Sequence, residues 1–192
     1  MKTKMILKLL FIFSLALSSC NKDDDNKDEQ GCVKEENYFE AQFDGQTIEP
    51  YYNQGGGIGR YTLSFSRCVD NENDWLLTIN TENDIGFDFS LIGLTGIGNY
   101  NISAGNPEHI AVTCAVKTSI YIEDQDSNSY TFISSSNGTI EITGYDNSLG
   151  ILIGTFTAEL VSTADPSVKK TITGEFNLNK STLDKTIKPC WL

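Results

Sequence analysis

"GTFTAEL", residues 154–160, and "ITGEFNL", residues 172–178, decide the fold class of this chain. Apolar or small residues alternate with polar ones in both stretches, which is the period of a β-strand that buries one face. The polar run Ala164-Asp165-Pro166-Ser167 between them has the composition of a turn. A glycine inside each strand, Gly154 and Gly174, indicates a bend or the close approach of another backbone. The two stretches therefore predict a pair of curved neighbouring strands.

The same alternation recurs along the rest of the chain. It is present in 61–65, 75–79, 87–91, 130–132 and 140–142. Turn residues separate these segments, and Asp44-Gly45 is a hairpin signal. Short strands at such spacing are typical of sandwiches and barrels, and we find no convincing amphipathic helix. The sequence predicts one all-β domain, either an antiparallel β-sandwich or a rolled, partly closed β-barrel.

The N-terminus has the features of an export signal. Met1 to Lys8 is basic, and the apolar run Leu9–Leu17 that follows is too short to span a bilayer. Leu17-Ser18-Ser19-Cys20 resembles the bacterial lipobox, which implies acylation of Cys20 and cleavage before it. Several acyl chains give stable membrane anchoring where one chain does not. We therefore predict a signal peptide at 1–19, a lipidated Cys20 and a tether at 20–31, and the β-domain at 32–192.

The tether and the overall charge narrow the choice of partners. Asn21 to Glu29 has no apolar residue, so it is expected to stay disordered. Its Lys22-Asp23-Asp24 resembles the signal that exports Bacteroidota lipoproteins to the outer face of the outer membrane. The signal peptide holds three lysines and no acid, so its removal changes the formal net charge from −12 to −15. Such a charge disfavours nucleic acid and anionic lipid headgroups as partners, and it favours solubility, cations or neutral partners such as glycans.

The order of motifs in the domain carries a wider resemblance. An "F-x-A-x-x-[ND]-G" hairpin at 39–45 is followed by Gly98-Asn99-Tyr100, by "GTIEIT" at 138–143, by "IGTFTA" at 153–158 and by "ITGEF" at 172–176. Together with the lipobox, this order resembles a family of Bacteroidota outer-membrane lipoproteins that carry an all-β domain of unknown function. The resemblance covers roughly residues 38–178 and implies no catalytic residues.

Four cysteines remain once Cys20 carries lipid. An exported chain meets an oxidising compartment, so two disulfides are expected, and three pairings are possible. Our hypothesis pairs Cys32 with Cys190, which would tie the ends of the domain, and Cys68 with Cys114 between strands. Zinc is disfavoured, because no two cysteines are close in sequence.

One segment has oxygen ligands at the spacing of a calcium loop. Asp124, Asp126 and Asn128 alternate as at the start of such a loop. Ser129 replaces its glycine, and Ser135 stands where its closing glutamate belongs. The simpler interpretation of this segment is a polar hairpin tip, and the alternative is a calcium site. No other cofactor is predicted.

Aromatic residues suggest a second weak site. Tyr51 and Tyr52 form an adjacent pair, and with Trp75 they could make a platform on which a sugar stacks. Core packing is the commoner fate of such side chains.

Signals of catalysis are weak. His109 is the only histidine in the sequence and lies at the start of an apolar run, where a loop-end role is the simpler interpretation. The Gly-x-Ser-x-Gly signature is absent. The glycines of 55–59 lack the Gly-Lys-Ser/Thr ending of a phosphate-binding loop. We therefore predict that the chain is not an enzyme.

The predicted function is non-catalytic. We expect a lipoprotein anchored in the outer membrane and facing the cell exterior, whose domain binds a glycan or an envelope protein or acts as a scaffold. One alternative is a lipocalin-like carrier, which would enclose an apolar cavity. The other is a glycan-degrading enzyme, which would need two carboxylates roughly 5–9 Å apart in a cleft.

Overall fold

Strands make up most of the described chain, as the alternation predicts. The computed structural model describes residues 36–53, 61–68, 71–104, 117–123, 131–134, 137–186, 188–189 and 192, all within the unit Val33–Leu192. Its strands are β1 (Tyr38–Phe43), β2 (Gln46–Ile48), β3 (Leu63–Cys68), β4 (Asn71–Asn80), β5 (Gly86–Leu91), β6 (Gly98–Ile102), β7 (Ser119–Glu123), β8 (Thr131–Ser134), β9 (Gly138–Asp146), β10 (Ile151–Ser162) and β11 (Lys169–Asn179). One short helix, α1 (Lys180–Leu183), follows β11.

The strands form two antiparallel sheets that share β10. The first half of β10 pairs with β9, and its last residues, Leu160–Ser162, pair with β8. Sheet one has the order β2-β1-β11-β10-β9-β6, and sheet two continues from β10 through β8, β7, β5 and β4 to β3. Every strand pair is antiparallel, and the described strands do not close into a barrel. The all-β sandwich is therefore confirmed, and the barrel interpretation is not.

A core of aromatic side chains joins the two sheets. Phe39, Phe156 and Phe176 point inward from sheet one, and Phe87 and Phe89 point inward from sheet two. Phe39 lies 4.9 Å from Phe87, and Phe89 lies 4.9 Å from Phe156, between ring centroids. These rings are at most 4% exposed. Rings of this size supply much of the apolar area that a β-sandwich buries.

The turns predicted at Asp44-Gly45 and at 164–167 are confirmed. Asp44 and Gly45 have φ of 52° and 78° and close the β1–β2 hairpin, which is the positive-φ geometry that favours Asp-Gly. The turn at 163–168 joins β10 to β11, and these strands pair along Ile151 to Val161.

The end of the sandwich where the described chain begins is held by side-chain hydrogen bonds. The Asn37 amide donates to Thr182 Oγ1 and accepts from the backbone N–H of Asn179, both at 3.0 Å. Lys180 then donates its backbone N–H to the carbonyl of Gly150, at 3.0 Å. We call this end, formed by Asn37, α1, the 147–150 hairpin tip and the 92–97 loop, the N-terminal end.

No helix among the described residues is long and apolar enough to cross a membrane.

Candidate functional site

The solvent side of sheet one carries polar side chains in straight rows. Alternation turns every second residue of β1, β11, β10, β9 and β6 outward, and the strand register aligns them. One row crosses all five strands through Glu40, Glu175, Thr155, Glu141 and Asn99. We call this solvent side the outer face. Its three glutamates make it strongly acidic along this row.

The next row along the strands is uncharged. It runs through Gln42, Thr173, Thr157, Thr139 and Asn101, all of them exposed. The Gln42 amide also donates to the Thr47 hydroxyl at 3.0 Å. Neighbouring strands lie about 4.8 Å apart, so this row offers hydroxyl and amide groups at a regular spacing.

A groove opens on the outer face beside the acidic row. Tyr38, Asn177 and Ile153 form the row on its far side, and Ile153 packs over Gly144 of β9. The groove has a volume of about 350 Å³ and is open to solvent. Its walls are side chains of β1, β9, β10 and β11, and it is lined by Tyr38, Thr143, Ile153, Gly154, Thr155, Glu175, Phe176 and Asn177. Four strands therefore contribute to one concave surface.

Two carboxylates and a phenol meet at the edge of this groove. Glu40 and Glu175 are direct cross-strand partners, which places their Cβ atoms about 5 Å apart. The Tyr38 hydroxyl donates to Glu40 Oε2 at 2.8 Å. Burial raises the pKa of Tyr38, and the Glu40 and Glu175 carboxylates raise this pKa further. The phenol therefore stays protonated and acts as a donor at neutral pH.

The groove combines an apolar part with hydrogen-bonding groups. The Tyr38 ring and the Ile153 side chain offer an apolar surface, while Glu175, Thr155 and Asn177 offer acceptors and donors. A sugar ring presents the same combination, an apolar C–H face and a rim of hydroxyl groups. The exposed Glu175 carboxylate can accept hydrogen bonds from such hydroxyls without requiring a charged ligand.

The prediction that Trp75 belongs to an aromatic platform for a sugar is wrong. Trp75 is fully buried, because it lies in phase with the inward residues Leu77 and Ile79. Its ring stacks on Phe65 at 4.5 Å, and the Arg67 guanidinium covers it at 4.4 Å. The indole Nε1 has no hydrogen-bond partner within the described part of the chain. Trp75 is thus a core side chain and offers no surface to a sugar.

Tyr51 and Tyr52 are half-buried near the edge of sheet two. Tyr51 donates its backbone N–H to the Thr62 hydroxyl and accepts from the Thr62 backbone N–H, and Tyr52 forms a β-bridge with Tyr61. Lys188 Nζ lies 5.5 Å from the centre of the Tyr52 ring. The strand register places this pair roughly 20 Å from Trp75 along the sheet, so the structure does not assemble the three residues into one site.

Several other predicted site residues lie outside the described ranges. They are Cys20, Cys32, Cys114 and Cys190, the calcium candidates Asp124, Asp126 and Asn128, and also His109 and the 55–59 glycines. Cys68, at the end of β3, is disulfide-bonded, and its partner is outside the described residues. Both disulfide pairings and the calcium site therefore stay predictions. In the part of the chain that is described, no three His, Cys, Asp or Glu residues are grouped to hold a metal.

The groove residues were not predicted as a site. Tyr38 and Glu175 are outward positions of predicted strands, and nothing near either in sequence indicates its neighbour. They meet only because β1 pairs with β11, more than 130 residues later. The one available signal was the phase of each strand, which marks both as solvent-facing.

Comparison of the chain with known protein families, with curated proteins and with solved structures found no match. The function is therefore inferred from the geometry of the outer face and from the N-terminal sequence.

Proposed function

We propose that this chain is a bacterial lipoprotein, anchored in the outer membrane by acyl chains on Cys20 and facing the cell exterior, whose β-domain binds a neutral glycan without catalysis. The binding site is the groove of the outer face. The single observation that carries the proposal is the joining of an apolar wall to an exposed carboxylate in this groove, with Tyr38 and Ile153 beside Glu175.

The shape and charge of the outer face support a glycan. The uncharged Thr, Asn and Gln row lies across the acidic row from the groove, so a chain of several sugars that crosses the acidic row has hydroxyl and amide partners beyond the first ring. The acidic row and the acidic chain as a whole repel anionic polymers. A neutral sugar lies across this face without that repulsion.

The packed aromatic core disfavours the alternative of a lipocalin-like carrier. A lipocalin-like protein keeps an apolar cavity between its strands. Here the side chains of Phe39, Phe87, Phe89, Phe156 and Phe176 contact one another in that space. The ligand is therefore proposed to bind outside the sandwich.

Exposure of Glu175 supports binding over hydrolysis. Glu40 and Glu175 are direct cross-strand neighbours, and a glycosidase also requires two carboxylates close to each other. A general acid in such an enzyme is protonated because its surroundings exclude water. Glu175 is exposed in a groove that is open to solvent, so its role here is to accept hydrogen bonds.

The anchor is tested by comparing the natural chain with Cys20→Ala in the same cells. The natural chain is expected in the membrane fraction and the variant in the soluble fraction. A variant that still partitions with membranes contradicts the lipid anchor. Protease added to intact cells is expected to cleave the natural chain; survival of the chain while a known surface protein is cleaved contradicts the outward orientation.

Glycan binding is tested by electrophoresis of the acylated protein, in detergent micelles, through gels that contain single neutral polysaccharides. We expect at least one polysaccharide to retard the natural chain. Tyr38→Ala removes the apolar wall, and Glu175→Gln removes a charged acceptor. Each change is expected to weaken binding about tenfold, the effect of losing one charge-assisted hydrogen bond or one stacking contact.

Glu159→Gln is the matched control, because Glu159 lies on β10, the strand next to that of Glu175, but pairs with Lys169, at 3.0 Å, away from the groove. It is expected to bind like the natural chain. The proposal fails if no neutral polysaccharide retards the protein, or if the groove variants and the control are retarded equally.

A further inference from the structure

Ile97, at the N-terminal end, is exposed to solvent by the conformation of its loop. Ile97 is 70% exposed and stands between Gly96 and Gly98, whose φ values are 158° and 153°. Few side chains tolerate that backbone region, so the two glycines permit a loop shape that turns Ile97 outward. Most of the Ile97 side chain therefore stays in contact with water in the folded domain.

The loop that carries Ile97 is fixed by hydrogen bonds. The Tyr100 hydroxyl accepts from the backbone N–H groups of Thr95 and Gly96, at 3.2 and 3.0 Å, and donates to the Gly96 carbonyl at 2.7 Å. Farther back, the Leu94 carbonyl accepts from the Tyr145 hydroxyl at 3.0 Å. The exposed position of Ile97 is thus built into the loop rather than reached by a flexible segment.

A second exposed apolar side chain lies at the same end. Leu149, at the tip of the β9–β10 hairpin, is 53% exposed. Its backbone N–H donates to Asp146 Oδ1 at 3.0 Å, and the following Gly150 accepts from Lys180. Tyr145 on β9 connects this hairpin to the loop of Ile97. The two side chains therefore stand on neighbouring, hydrogen-bonded loops.

The described chain begins at this same end. Asn37 bonds to Asn179 and Thr182, and the adjoining Lys180 bonds to Gly150, one residue from Leu149. Fifteen residues separate Cys20 from Glu36. A chain of that length spans at most about 55 Å. An anchor at Cys20 therefore tethers the domain to the bilayer through the chain that enters it at this end.

The geometry points to a membrane-docking surface: Ile97 and Leu149 insert into the headgroup boundary of the bilayer that holds the acyl chains of Cys20. This inference rests on the lipid anchor of the proposed function. Two apolar side chains bind a bilayer weakly by themselves, and the anchor supplies a high local concentration of lipid. Docking would fix the orientation of the domain on the membrane, with the outer face standing upright beside it.

The experiment introduces one tryptophan at a time into the acylated protein, at two positions of the N-terminal end and at one position of the opposite end. Ile97→Trp and Leu149→Trp report on the N-terminal end. Val168→Trp, at an exposed position in the β10–β11 turn, is the control at the opposite end. Each protein is reconstituted into phosphatidylcholine vesicles with and without brominated acyl chains. The emission of the natural chain is subtracted, since it already contains two tryptophans.

In vesicles, the tryptophans at 97 and 149 are expected to emit at shorter wavelength than in the Cys20→Ala background and to be quenched by bromine. The tryptophan at 168 is expected to show neither change. Equal, water-like emission at all three positions in protein that floats with the vesicles overturns the docking surface and leaves the anchor intact. A shift at 97 that appears in the Cys20→Ala background without vesicles also overturns it, and indicates a second copy of the chain. Protein that fails to float at all refutes the anchor instead.

Discussion

Phe156 of β10 lies directly opposite Gly174 of β11, and its ring fills the space in which a side chain at 174 would begin. A Cβ built on Gly174 would stand 2.7 Å from two ring atoms of Phe156 and 2.7 Å from the carbonyl oxygen of Glu40. The arrangement is reciprocal, because Phe176 lies opposite Gly154. Each glycine lets a phenylalanine ring lie across the neighbouring strand and lets a third strand approach, which is why the two long strands at the centre of sheet one carry these residues.

Gly174→Ala is expected to destabilise the domain by about 2 kcal/mol, because the new methyl group overlaps a buried ring and a backbone oxygen. The midpoint of urea unfolding measures the loss. Gly86→Ala is the matched control, since a Cβ at Gly86 meets only the Glu123 Cβ, at 3.8 Å. Equal midpoints for the two variants would show that the ring and the strand of Glu40 move aside without cost.

The alternation of residues predicted the faces of the strands well. Phe156, Ala158 and Leu160 are buried as their phase predicts, and the close approach predicted for both interior glycines is confirmed. The alternation also predicted a buried Trp75, because Trp75 is in phase with Leu77 and Ile79. The sugar-platform hypothesis did not take this pattern into account. Period and turn chemistry are local properties, and for this reason the sequence displays them.

Strand order and the groove were beyond prediction. The partner of β1 is β11, and no local pattern encodes a pairing over that separation. The groove combines β1, β9, β10 and β11, so it exists only once the order and the register are set. Helix α1 was also missed, because four residues are too few to show helical periodicity.

Asp44→Asn is expected to leave the free energy of unfolding within about 0.5 kcal/mol of the natural value. Asp44 has a φ of 52°, a conformation that asparagine adopts readily. Its carboxylate pairs with Lys170 at 2.5 Å, but the Asp44 side chain is 56% exposed, and ion pairs at the surface contribute little.

Asp44→Val tests the backbone instead of the charge. A β-branched residue is strained at this φ, and a loss of about 1–3 kcal/mol is expected in the same urea experiment. If the asparagine variant loses as much as the valine variant, the ion pair with Lys170 and not the turn geometry holds this hairpin.

The stability of the domain is expected to fall at alkaline pH. The buried Tyr61 hydroxyl donates to the Asn37 carbonyl at 2.8 Å, and burial, followed by the charge of Glu49, raises the pKa of Tyr61. A phenol whose pKa is higher in the folded state stabilises the fold fully below its ordinary pKa of about 10, and that stability is lost as the pH rises above it.

Urea unfolding of the natural chain and of Tyr61→Phe, at pH 8 and at pH 11, measures this effect. The variant is expected to be about 1 kcal/mol less stable at pH 8, because the Asn37 carbonyl loses its donor. It is also expected to lose less stability than the natural chain on going to pH 11. Parallel losses in both proteins would assign the alkaline decline to other groups, such as Tyr38, whose pKa is also raised.

The groove is expected to carry a cost in stability. Glu40 and Glu175 are like charges in direct cross-strand positions, which is unfavourable for the sheet. Glu175→Gln removes one charge, keeps the shape of the side chain and leaves Glu40 to accept from Tyr38. We therefore expect it to raise the free energy of unfolding by about 0.2–1 kcal/mol, while it weakens glycan binding.

Glu159→Gln is the control. It removes a carboxylate that pairs with Lys169 and is expected to leave stability unchanged or slightly lower. If Glu175→Gln gains stability and loses binding while Glu159→Gln does neither, the role of the Glu175 carboxylate is to bind the ligand and not to stabilise the sheet. A loss of stability in Glu175→Gln would make it a structural residue, and the binding role of the groove would then depend on Tyr38 and its neighbours.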